Sequence, residues 1–121
     1  MPRMLTCRVI PFAAFLGFAA TAVMPLAAAG QDAAQVKKGE EVYTAQKCSM
    51  CHSIAGKGNK ANPLDGVGAK LSAADTKAWI LTPVEMAAKV KSTKKPPMPA
   101  KYGSLPAADI DAMVAYMQSL K

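Results

Sequence analysis

The chain has 121 residues, 15 Lys and Arg against 8 Asp and Glu, a net charge of +7 and three Cys, which is room for one domain. Half of it is apolar (51%), yet residues 30–121 hold only 14 Leu, Ile and Val and no Phe. That is about 15% of the segment, below the roughly 20% under which a charged chain cannot build its own core. An ordinary self-filled core is therefore excluded, and the segment is either disordered or filled by something that is not protein.

The first 29 residues read as an export signal. Arg3 and Arg8 form a basic start, no charge occurs from Val9 to Gln31, and Pro25 is followed by Ala27-Ala28-Ala29. Small residues after a helix-breaking proline are a cleavage-site pattern. The alternative is an uncleaved membrane anchor, since Val9–Ala29 is long enough to span a bilayer. Cys7 precedes the apolar run and is lost with a cleaved signal. The processed chain has 13 Lys, no Arg and 8 acids, so its charge is +5. Lysine is a hydrated point charge suited to loose steering. With four aromatics and no Arg, an exported chain of this kind does not suit nucleic acid, and an acidic protein surface is the expected partner.

Asp32 caps a helix expected from about Ala33 to Gln46, with Val36, Gly39 and Tyr43 on one face. Residues 53–71, rich in Gly and Asn, read as irregular loop wrapped around a ligand. Ser72-Ala73-Ala74-Asp75 resembles a capping box opening a short helix to about Leu81. Thr82-Pro83-Val84-Glu85 is a second box, with Pro at the first helical position, opening a helix to about Lys91. Lys94–Gly103 carries three Pro and reads as loop. Pro106 starts the last helix, to about Leu120, with Ile110, Met113, Val114, Met117 and Leu120 on one face. No stretch alternates with period two long enough for a strand. The expected class is all-α, with four short helices and long loops.

Cys48-Ser49-Met50-Cys51-His52 carries the chemistry. Cys-x-x-Cys-His spacing is that of covalent haem attachment. Two thiols three positions apart can meet two vinyl groups on one porphyrin edge, and the adjacent imidazole then faces the iron. Zinc would need four ligands, usually as two pairs, and the processed chain offers only Cys48, Cys51 and His52, with no other His or Cys. A thioredoxin-type redox disulfide needs a βαβ setting. A structural disulfide closes a trivial loop and leaves His52 without a role.

His-ligated haem iron takes Met on its other side in electron carriers, or is left open in ligand-binding proteins. Met50 lies inside the pentapeptide, Met113 and Met117 read as core filler, and Met86 is ambiguous. Met98 sits in Pro96-Pro97-Met98-Pro99. A weak thioether ligand needs a rigid mount, and flanking prolines supply low backbone entropy. Met98 is thus the expected second metal ligand beside His52. With one His, bis-His ligation within one chain is excluded.

The pentapeptide, Met98-Pro99 46 residues after His52 and a closing amphipathic helix together resemble the class I c-type cytochromes. The likeness is to the small bacterial monohaem carriers and spans residues 33 to 120. It implies one covalent haem c, with Gly39 and Tyr43 crossing the last helix at Met113 and Tyr116. It also implies that the Pro63 carbonyl accepts the His52 ring N–H. Trp79, by the same resemblance, packs near the haem and donates its indole N–H to a propionate, and Tyr102 does the same. Tyr43 stands where Phe is common in relatives. Residues 53–70 and the segment through Val90 match mitochondrial relatives poorly, so a partner surface does not carry over.

The expected function is a periplasmic one-electron carrier, not an enzyme, working as a monomer or as a subunit of a redox complex. Lys47, Lys57, Lys89, Lys91, Lys94, Lys95 and Lys101 are candidates to ring the exposed haem edge for an acidic redox partner. The alternative is a gas-binding or sensor protein with an open sixth site. A peroxidase would want a distal His or Arg, and the processed chain has neither.

Overall fold

The computed structural model describes residues 32–121. The export-signal reading of residues 1–29, Cys7 included, lies outside them. Among the described residues no helix is long and apolar enough to cross a membrane.

Helix α1 runs Ala33–Ala45, and the Asp32 carboxylate accepts from the Ala34 N–H at 3.0 Å. The chain leaves it through Lys47 in the left-handed region and a 3₁₀ turn at Cys48–Met50. Strands β1 (Ser53–Ile54) and β2 (Lys57–Gly58) then pair antiparallel, Ser53 with Gly58 and Ile54 with Lys57. The expectation of unbroken loop over 53–71 is corrected here. Ala55 and Gly56 both have positive φ (51° and 75°), the two-residue turn that matches strand twist. Two-residue strands are too short to show period-two alternation in a sequence. Helix α2 (Val67–Lys70) also lies in this stretch.

Helix α3 spans Ala73–Leu81, with the Ser72 hydroxyl oxygen accepting from the Asp75 N–H at 3.0 Å and donating to its carboxylate at 2.9 Å. Helix α4 spans Pro83–Lys89. Its expected capping box does not form: the Thr82 hydroxyl donates back to the Ala78 carbonyl at 3.2 Å, at the end of α3. Helix α4 also stops short of Lys91, which sits at φ 51° and cannot continue a right-handed helix. A 3₁₀ turn at Ala100–Ser104 shortens the Pro-rich loop. Helix α5 runs Ala107–Ser119.

Helices α1 and α5 cross at Gly39. A Cβ there would fall on the Ala112 carbonyl oxygen and lie 2.6 Å from the Tyr116 Cβ. Beside the crossing, Tyr43 and Tyr116 meet edge to face, with centroids 5.9 Å apart and planes at 72°. Val42, Ile80, Ile110 and Met113 form the buried cluster, with Tyr102, Leu105 and Val114 packed on it. That is a small core, as the composition foretold. Ile80, Met113 and Tyr102 of this group also line a cavity.

Candidate cofactor site

The pentapeptide is folded by its own backbone. The N–H groups of Cys51 and His52 both donate to the Cys48 carbonyl, at 3.1 and 2.9 Å. One turn of chain thereby brings both thiols and the imidazole to the same cavity wall. Both cysteines are free thiols: Cys48 is half-buried and Cys51 exposed. Burial is the main cause pushing the Cys48 thiol up, with Cys51 adding to it.

His52 is oriented by a backbone carbonyl. Its Nδ1 lies 3.1 Å from the carbonyl oxygen of Asn62. A carbonyl can only accept, so Nδ1 carries the hydrogen and the lone pair is on Nε2. Burial draws the imidazole below its ordinary range, and the Asn62 bond works the other way. The net result is a neutral ring with one basic nitrogen, as a metal ligand requires. The expectation for Pro63 is corrected by one residue. Pro63 instead pairs in parallel with Ser53, through Leu64 N–H to the Ser53 carbonyl at 2.8 Å. Its fixed φ helps to hold the preceding carbonyl in place.

Asn59 and Asn62 clamp the pentapeptide. The Asn62 side-chain amide donates to the Cys51 carbonyl at 3.2 Å, and that of Asn59 to the Met50 carbonyl at 3.3 Å. Gly58 closes the same contact: at φ +103° its missing Cβ would fall on the His52 carbonyl. The Asn residues were legible only as loop formers. Their bonds reach back 9 and 11 residues, which no local pattern encodes.

The cavity measures about 420 Å³, within the usual range for small-molecule sites. Cys48, Cys51 and His52 line it, and so does Met98 with Pro96, Pro97 and Pro99. Leu64, Val67, Leu71, Ile80, Met113 and Met117 make much of the wall apolar, and Trp79 and Tyr102 also face it. Burial raises the Tyr102 hydroxyl, with smaller contributions from the two cysteines. Tyr43 and Thr76, which sequence reasoning did not place at the site, line the cavity too. Of the seven candidate lysines only Lys94 and Lys95 line it. Lys94 Nζ donates to the Ala61 carbonyl at 3.1 Å, tying the segment before Met98 to the loop that orients His52.

Two free thiols, a neutral imidazole, a thioether and an apolar wall fit covalently held haem as a donor set. Residues 36–121 match the family model described as Cytochrome c. No curated protein and no solved structure matches the chain. Motif, helical fold and family match converge, and the chain belongs to the cytochrome c family, as a haem-containing electron-transfer protein whose cofactor is covalently attached haem c.

Proposed function

We propose that this cytochrome is an exported, periplasmic one-electron carrier in which His52 and Met98 hold the haem iron. The observation that carries this reading is that Met98, mounted between prolines, lines the same cavity as His52 and both thiols. Bound haem supplies an Fe(II)/Fe(III) couple. The chain's part is to fix the two ligands, exclude water and bias the couple. Asn62 fixes His52, and Pro97 and Pro99 restrict the backbone on either side of Met98. Ligands held in both oxidation states keep reorganisation small. A thioether ligand and an apolar wall favour the less charged ferrous form and so raise the potential. No catalytic step is assigned to the chain.

Export is supported by the basic start, apolar run and alanine triplet of residues 1–29. The lysine excess of the processed chain supports an acidic redox partner, met as a free carrier or within a periplasmic redox complex. Carbon monoxide tests the ligand set. With Met98 holding the iron, ferrous wild-type protein at neutral pH would resist it, whereas Met98→Ala would bind it readily. Ready binding by the wild type would instead support a gas-binding or sensor protein.

A further inference from the structure

Thr76 presents a hydroxyl hydrogen that no acceptor among the described residues takes up. It lies on α3, is 4% exposed and lines the haem cavity. The Gln118 side chain on α5 reaches it: Nε2 donates to the Thr76 hydroxyl oxygen and to the Leu71 carbonyl, both at 3.0 Å. The Leu71 carbonyl can only accept, so the nitrogen end of the amide is fixed there, and both its hydrogens are committed. Thr76 therefore accepts from Gln118 and keeps its own O–H. Thr44 and Thr82 show the ordinary alternative. Each hydroxyl donates to the carbonyl four residues back, Glu40 at 3.0 Å and Ala78 at 3.2 Å. The Thr76 hydroxyl makes no such bond among the described residues.

A buried donor is rarely left without an acceptor. Leu71, which shares the Gln118 amide with Thr76, and Ile80, one turn further along α3, line the same cavity and offer no side-chain acceptor. Haem carries its peripheral acceptors on its propionate carboxylates. Trp79, three residues on and also at the cavity, puts a second donor on that face of α3. We propose that Thr76 binds a haem propionate through its hydroxyl hydrogen, and that Gln118 is the positioning residue that turns the hydroxyl toward it. The inference rests on haem c filling this cavity and not on Met98 as a ligand.

Resonance Raman spectra of the haem-loaded full chain, which read the propionate bending modes, test it together with the midpoint potential. Thr76→Val shifts those modes. It also lowers the potential, because a carboxylate without its donor puts more negative field on the iron and favours the ferric form. Thr76→Ser restores both. Gln118→Leu shifts the modes in the same direction, and decides alone if Thr76→Val fails to load haem. Unchanged propionate modes in Thr76→Val, or in Gln118→Leu as the sole loaded variant, overturn the proposal. So does a potential that moves while the modes stay fixed, which would point to packing or a buried water. The far-red ferric band of sulfur ligation, recorded on the same samples, reports Met98 separately.

Discussion

Tyr43 shows how one side chain serves both the fold and the site. Its ring packs on Tyr116, and its hydroxyl lies 3.5 Å from the His52 carbonyl, at the outer limit of a hydrogen bond. Burial is the main cause that pushes that hydroxyl up to about 12. The folded state thus favours neutral Tyr43, and the associated stability is complete below the ordinary tyrosine value of 10. It is lost as pH rises from there toward 12, because the unfolded chain ionises first. In thermal unfolding of the haem protein, Tyr43→Phe is expected to flatten the fall of Tm across that alkaline window. An unchanged slope would mean that Tyr102 and Tyr116, also raised by burial, carry it. At this scale the meeting of Cys48, Cys51 and His52 at one cavity was legible, because the three lie within five consecutive residues. The partner of His52 was misread by one position. Asn62 and Pro63 are adjacent, and only the hairpin geometry decides which carbonyl turns inward.

Among the elements, the α1–α5 crossing is the joint on which the cavity depends. Gly39 allows the two backbones to meet, and the atom a Cβ would strike is the Ala112 carbonyl oxygen, which cannot swing aside. Gly39→Ala raises helix propensity by about 1 kcal/mol, but overpacking a fitted contact costs about 1–3 kcal/mol. Denaturant unfolding of the haem protein is expected to show a net loss of stability, and an equal or raised midpoint would mean the crossing has slack. The helices were legible where caps and periodicity agreed, as at Ser72 and along Ile110, Met113 and Met117. They were misread where the deciding feature was a backbone angle. The Ala55–Gly56 turn and the stop at Lys91 both depend on positive φ at a residue other than glycine, which composition does not announce. Thr82 was open to two uses, and its hydroxyl closes the helix behind it instead of opening the one ahead.

Over the whole molecule, the shortage of apolar residues is matched by a structure whose small core flanks a cavity lined by haem-binding chemistry. A chain with this little core relies on its cofactor, since anything that binds only the folded state stabilises it. The Cys48→Ser, Cys51→Ser double variant, which cannot form thioethers, is expected to lose most of its helical circular dichroism. A well-folded haem-free form would mean that the core suffices alone. Lysines carry all the positive charge of residues 30–121, and Lys94 shows that one of them also fastens loop to loop. The central claim is that Met98 joins His52 at the iron. The most direct measurement is the visible spectrum of the oxidised haem protein at neutral pH. The account predicts low-spin c-type haem with the weak far-red band of sulfur ligation, present in the wild type and lost in Met98→Leu. A ferric spectrum without that band, or one that Met98→Leu leaves unaltered, would contradict it.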